Sequence, residues 1–352
     1  MASKTHCGWK LWLLALACCN APVQAAEERG VTTVTIEKEN FLGWPNTYVL
    51  RNAEVELRVV TDVGPRIVEF RRRGGPNVLY VRASEAGKSG EAEWMFRGGW
   101  RLWVAPERKE TTYAPDNVSC TVELEAERLR VMSPPQPQAG IQKIVEVALS
   151  ASEPRARLKA RIRNTGQSSV RYAAWSLPVL QPGGRAFLPV DAGPLDAFDA
   201  IRRYILWSYT RIDDPRYRWG NQLIEVDHRK VRAGAPHRGH ARRTDESKIG
   251  TDSRQGWAAY LWQQQLFFKR FPAQAPGEYP DGGATTEVYS SAEFLELENL
   301  GPLTTFEPGE EIVIAEDWWL FANVEIPERA RSDEHERAVL GALAPYIEKT
   351  QW

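Results

Sequence analysis

The chain has 352 residues, with 45 basic and 46 acidic side chains, a net charge of −1, and 14 tryptophans. Such a length supports one large domain or two ordinary ones, and so even a charge balance argues against a nucleic-acid partner or any partner recruited by a global field. Of the four cysteines only Cys120 lies beyond residue 19, so a processed chain has no internal disulfide, and Cys120 reads as a small core residue.

Residues 1–25 read as a secretory signal peptide. Lys4 and Lys10 flank the start, residues 11–19 are an apolar run, and Val23-Gln24-Ala25 puts small residues at the cleavage positions. The run is too short to span a bilayer and no later segment reaches transmembrane length. The expectation is a periplasmic or secreted protein in which residues 26–352 form a single domain. Lipoprotein anchoring at Cys18 is the disfavoured alternative, because Ala15 stands where a branched residue is usual.

Strands are predicted at 31–36, 54–61, 66–72 and 78–81, an antiparallel meander with one solvated face, since Val55, Leu57 and Val59 alternate against Glu54, Glu56 and Arg58. Residues 83–93 are small and polar and read as a loop. Their Gly87-Lys88-Ser89 is no phosphate loop, because Arg82 occupies the place of that motif's first glycine. Further strands are predicted at 118–125, 128–132, 141–149, 155–163 and 172–180. The 155–163 stretch is the most regular, with Ala156, Leu158, Ala160 and Ile162 against Arg157, Lys159, Arg161 and Arg163, and its basic row reads as a solvated face. Residues 133–139 are a proline-rich connector.

The stretch 190–255 is the least legible. Residues 201–209 fit a short helix or a strand, and 228–243, HRKVRAGAPHRGHARR, is basic without apolar periodicity, hence a long surface loop. A solvated loop is the preferred reading, and charge-driven contact with an anionic glycan or the cell envelope is the alternative. Strands resume at 256–261 and 266–271. Val339, Leu340, Leu343 and Ile347 predict a terminal helix over 332–349, packed by one face. Many short strands without an internal repeat imply an all-β sandwich or barrel.

Residues 281–320 are the most informative. Leu295 and Leu297 alternate with Glu296 and Glu298, so the two carboxylates share one strand face about 7 Å apart. Gly301-Pro302 breaks that strand, Glu307-Pro308-Gly309-Glu310 forms a turn, and extended structure resumes through Trp318 and Trp319. Carboxylates beside aromatic rings suit a sugar, whose hydroxyls donate to acids and whose C–H faces rest on flat rings.

That order of elements resembles the last part of the galactose mutarotase-like (aldose 1-epimerase-like) superfamily. Upstream, Val63-Gly64-Pro65-Arg66-Ile67, Asn77-Val78-Leu79, Gly98-Gly99-Trp100-Arg101-Leu102-Trp103 and Arg163-Asn164-Thr165-Gly166 follow in the same sequence. Lys248-Ile249-Gly250, Gly256-Trp257, Tyr279-Pro280-Asp281 and Glu287-Val288-Tyr289 look like a bacterial branch of that superfamily. The resemblance implies an all-β galactose mutarotase-like β-supersandwich, two large and mostly antiparallel sheets with a C-terminal helix. It also implies a concave sheet face that binds a pyranose, with a strand glutamate as base: Glu298, or Glu296 if the register is shifted by two.

The candidate sugar-binding residues are Arg66, Trp100, Arg101, Trp103, Trp175, Lys248, Trp257, Lys269, Asp281, Glu287 and Tyr289, with Glu107 beside them. One departure matters. Mutarotases carry two histidines on middle strands, one of them the proton donor to the ring oxygen, yet no histidine lies between His6 and His228 here. The sequence therefore points to an exported carbohydrate-binding protein, accessory to glycan use, with little or no aldose 1-epimerase activity. One alternative is a carbohydrate-active enzyme, epimerase or lyase-like, that pairs a glutamate with Lys248 or Tyr289. Another is an envelope scaffold that binds an anionic partner through 228–243. No metal or other cofactor is expected: His237 and His240 lie in the basic loop without further ligands, and neither a nucleophile elbow nor a dinucleotide fingerprint is present.

Overall fold

Alternation along Arg155–Asn164 buries Ala156, Leu158, Ala160 and Ile162 and turns the intervening basic residues outward. The same rule, repeated along the chain, builds two sheets. In the computed structural model the described residues are 1–2, 34–193, 196, 198, 200–231, 245–272, 277–328 and 332–351. Every element below belongs to one compact unit, residues 32–352. The segment proposed as a signal peptide and most of the basic loop, 232–243, lie outside the described residues.

The larger sheet has eleven strands. Its spatial order is Thr35–Phe41, Trp44–Arg51, Val55–Val60, Arg66–Arg72, Trp100–Ala105, Val170–Leu180, Leu295–Leu300, Thr286–Ser290, Ser247–Thr251 and Tyr204–Leu206, with Thr304–Phe306 also paired to Val170–Leu180. The ten-stranded sheet runs Tyr217–Trp219, Leu223–Asp227, Arg185–Pro189, Trp257–Trp262, Gln265–Arg270, Glu311–Phe321, Arg155–Asn164, Ile141–Leu149, Arg128–Met132 and Thr121–Glu125. Between the sheets Trp318 meets Phe267 at 5.3 Å, Phe70 at 6.0 Å and Trp100 at 6.3 Å between ring centroids. The helix Ser332–Lys349 covers the far face of the smaller sheet, where Val339 and Leu343 pack in one cluster with Trp257, Phe268 and Trp319.

The structure corrects several boundaries. Residues 78–81 form no strand; they cross between strands, and only Leu79 and Val81 make bridges, to Leu180 and Gly98. The Asn77 side chain organises this crossing by accepting from the Phe70 and Leu79 backbone N–H groups. Trp44–Arg51, unpredicted, is a strand, and the illegible region supplies four further short ones. The meander face expected to be solvated is roofed by its own ion pairs: Glu56 meets Arg71 at 2.6 Å and Arg51 at 3.4 Å, and it stays buried. Cys120 precedes its strand and packs half-buried against the core.

Candidate sugar-binding site

Five neighbouring strands of the larger sheet position the site: Trp100–Ala105, Val170–Leu180, Leu295–Leu300, Thr286–Ser290 and Ser247–Thr251. Their pairing is antiparallel throughout. Leu102, Ala174, Leu297, Val288 and Ile249 point into the main core. The alternate positions, Arg101, Trp103, Trp175, Glu296, Glu298, Glu287, Tyr289 and Lys248, therefore share the opposite face. Register brings them into rows: Trp103 is opposite Trp175, Tyr289 opposite Glu296, Glu287 opposite Glu298, and Lys248 opposite Tyr289.

Above this face is a cavity of about 330 Å³. Arg101, Trp103, Trp175, Lys248, Tyr289 and Glu296 line it from the sheet, and Trp94, Phe96, Glu107, Tyr113, Tyr209, Glu246 and Phe294 close it from the connections. The Trp94 and Phe96 wall depends on the turn that follows. Gly98 and Gly99 have φ of +81° and +70°, and a Cβ on either would lie 2.3 Å from a carbonyl oxygen, of Tyr80 or Ile67 respectively. Arg66 then pins the turn from behind by donating to the Phe96 and Gly98 carbonyls at 2.9 and 2.8 Å.

Arg101 crosses the cavity floor. It donates to Glu296 at 2.8 Å, and its guanidinium lies 4.1 Å from the Trp103 ring centroid. Its Nε and Nη1, together with the indole N–H groups of Trp94 and Trp103, are buried and find no hydrogen-bond partner among the described residues. Burial pushes the Glu296 carboxyl above the ordinary range; Arg101 opposes that shift and the Glu298 charge adds to it. Tyr113 donates to Glu107, and burial plus that acceptor push its hydroxyl upward.

Lys248 sits deeper, between two acids and two rings. Its Nζ is 2.7 Å from Glu287 Oε2 and 3.0 Å from Glu298 Oε2, and 4.5 and 4.7 Å from the Trp175 and Trp207 ring centroids. Trp175 Nε1 donates to the same Glu298 oxygen at 2.8 Å. Burial works against the ammonium, yet the two carboxylates outweigh it and hold Lys248 well above the ordinary lysine value. Burial also pushes Glu287 well up, with the Glu298 and Asp281 charges adding and Lys248 opposing. Gly250, opposite Glu287, leaves the space this cluster uses: a Cβ there would lie 3.3 Å from Glu287 Cγ.

The sequence-derived candidates thus divide. Arg101, Trp103, Trp175, Lys248, Tyr289, Glu296 and Glu107 line the cavity, while Glu287 and Glu298 lie beneath it and Asp281 stands beside Glu287. Four sit elsewhere. Trp100 points into the core, where its indole N–H donates to Ser176 Oγ at 2.7 Å. Trp257 stacks on Phe268 under the terminal helix. Lys269 belongs to the other sheet and is fully buried, donating to the Leu297 carbonyl at 3.0 Å and lying 3.5 Å from Glu316; burial lowers its pKa to about 8. Arg66 supports the wall rather than facing the cavity. Trp94, Phe96, Tyr113, Trp207, Tyr209 and Glu246 escaped the sequence reading, because connections carry them and no periodicity marks them, whereas Phe294, two residues before Glu296, shares the alternation of the two glutamates and could have been found from it. Neither described histidine lines the cavity: His228 Nδ1 accepts from the Gly183 N–H and its ring lies against the Ser291 and Phe294 backbone behind the wall, and His335 pairs with Glu225 at 2.9 Å. Among the described residues no group of three or more His, Cys, Asp and Glu could hold a metal ion, and no helix is long and apolar enough to cross a membrane.

This architecture of two large antiparallel sheets with a C-terminal helix matches the fold of the galactose mutarotase-like proteins. A galactose mutarotase-like protein of Lactobacillus casei is 10% identical and superposes with a TM-score of 0.52 over 78% of this chain and all of its own. A protein of Klebsiella pneumoniae assigned as an aldose 1-epimerase is 10% identical, with a TM-score of 0.52 over 91% of this chain and 88% of its own. The Slr1438 protein of Synechocystis sp. PCC 6803 is 14% identical, with a TM-score of 0.51 over 81% and 99%. At such identities the likeness establishes the fold alone. No protein-family model matches the sequence, and no curated protein resembles it at a significant level.

Proposed function

We propose that the protein is an exported carbohydrate-binding protein, accessory to glycan use, that takes a pyranose into this cavity. The observation that carries the reading is the set of buried, unpartnered donors on Arg101, Trp94 and Trp103 set in an aromatic wall. A buried donor without a partner costs about 1–3 kcal/mol, and sugar hydroxyls would supply acceptors while the rings cover C–H faces. The volume falls at the lower end of the usual small-molecule range. A thermal-shift screen against hexoses, uronic acids and oligosaccharides tests it. A ligand at 100 times its Kd stabilises by about 2.7 kcal/mol, and no shift with any sugar at millimolar concentration counts against the reading. Export rests on the features of residues 1–25, and N-terminal sequencing of the protein from the periplasm tests it.

A second reading is a carbohydrate-active enzyme, epimerase or lyase-like. Glu296, its carboxyl raised by burial, stands opposite Tyr289 at the cavity, which favours that pair over Lys248 as proton carriers. The third reading, an envelope scaffold acting through 228–243, rests on the basic sequence of that stretch; deleting it without loss of a partner in a pull-down removes the idea.

A further inference from the structure

One corner of the cavity differs from the rest. Three rings pack on one another there: Trp94 lies 5.1 Å from Trp103 and 5.2 Å from Tyr113 between centroids, and Trp103 lies 4.9 Å from Tyr113. The Arg101 guanidinium joins them, 4.1 Å from the Trp103 ring centroid and 5.7 Å from that of Trp94. Arg101 and Trp103 are only 2% and 4% exposed. Arg101 Nε and Nη1 and the two indole N–H groups find no acceptor among the described residues. Tyr113 directs its hydroxyl to Glu107, which leaves its ring as the part that faces the indoles. Arg101 Nη2 donates to Glu296 at 2.8 Å, so the charge of the guanidinium is already paired and what it still offers is hydrogen bonding. The corner is thus a patch of N–H donors set in aromatic surface.

We propose, building on the carbohydrate reading above, that the ligand is an N-acetylated amino sugar whose acetamido group fills this corner. Such donors call for an oxygen that accepts without donating. A hydroxyl that accepts here must still place its own proton, whereas a carbonyl oxygen has two lone pairs and no proton, so it can take two of these N–H groups. The aromatic surface around the donors suits the other end of the same substituent, because the acetamido methyl gains by leaving water for the rings of Trp94 and Tyr113. The remaining ring hydroxyls donate to the carboxylates that line the cavity elsewhere, such as Glu246. A uronate carboxylate is the other oxygen group without a proton, but it would compete with Glu296 for the one guanidinium that Glu296 already holds at 2.8 Å, and like charges so close disfavour each other. The neutral carbonyl meets the same donors without a second charge.

Calorimetry with the intact protein tests this on N-acetylglucosamine, N-acetylgalactosamine and N-acetylmannosamine, each beside its parent hexose, with glucuronate and galacturonate as the acidic arm. In the ring series that binds, the acetamido sugar should bind roughly tenfold tighter than the hexose. Trp103→Phe and Trp94→Phe, which delete an indole N–H and keep an aromatic ring, should each shrink that ratio, and unchanged melting temperatures show that both variants fold. In the ¹⁵N-labelled parent the indole resonances of Trp94 and Trp103 should shift with the acetamido sugar and not with the hexose. Equal affinity for hexose and acetamido sugar overturns the acetamido class while leaving the carbohydrate reading intact, and so does a uronate that binds tightest. A preference that survives in full in both tryptophan variants overturns the assignment of this corner. If no sugar binds, the carbohydrate reading itself fails and the acetamido class with it.

Discussion

Lys248 Nζ lies 3.0 Å from Glu298 Oε2 at the floor of the cavity, so one of the two carboxylates expected to act as a base is already committed to an internal ammonium. The same ammonium holds Glu287 at 2.7 Å. Three buried charges in one cluster make each dependent on the others, because removing one partner of a buried pair strands the rest.

Lys248→Met should therefore lower the unfolding free energy by about 3–5 kcal/mol. Adding Glu287→Gln and Glu298→Gln to it should restore part of that loss, since no carboxylate is then left unpaired. Urea denaturation of the three proteins measures both effects, and a single variant as stable as the parent would contradict the cluster.

The mature protein should not be an efficient aldose 1-epimerase. Glu296 can serve as a base, but neither described histidine lines the cavity, and His228 and His335 are engaged by Gly183 and Glu225. Lys248 is held protonated, and losing a positioned acid typically removes about 10²–10⁴-fold in rate. Polarimetry on fresh α-D-glucose and α-D-galactose should give rates near those of buffer. A rate well above buffer that Glu296→Gln or Glu298→Gln abolishes would reveal an acid not identified here.

Sugar affinity should depend on the cavity wall and not on the core beneath it. Arg101→Ala, which removes the guanidinium that faces both Glu296 and the cavity, should weaken binding at least roughly tenfold. Trp100→Phe should cost about 1–3 kcal/mol of stability by leaving Ser176 without its donor, yet leave affinity unchanged. Loss of affinity in Trp100→Phe at full stability would return that residue to the site.

Lys269 gives a pH signature. Its folded pKa of about 8 lies below the ordinary value of 10.5, so between these the unfolded chain binds the extra proton. Stability from this group consequently rises as pH rises through the window. The difference in unfolding free energy between the parent and Lys269→Met should grow from pH 8 to pH 10.5, and a flat or falling difference would show that the ammonium persists in the fold.

Much of this protein was legible in its residues. Alternation fixed the faces of 155–163 and 295–300, because a strand allows only two directions and burial selects one. The short motifs from Val63 to Glu310 indicated the mutarotase-like sandwich, and the absence of histidine between His6 and His228 already set this chain apart from the usual catalytic pair. Residue type could not tell which candidates share a face with Glu296. Trp100 and Trp103 look alike in sequence, yet they lie an odd number of residues apart on one strand and so point to opposite sides, one to the core and one to the cavity. Nor could it show that Lys269 belongs to the opposing sheet, or that Trp94 and Phe96 arrive from connections to close the site. Those facts come from contacts between segments far apart in the chain, as between Arg101 and Glu296, and only the closed pair of sheets determines which side chains meet.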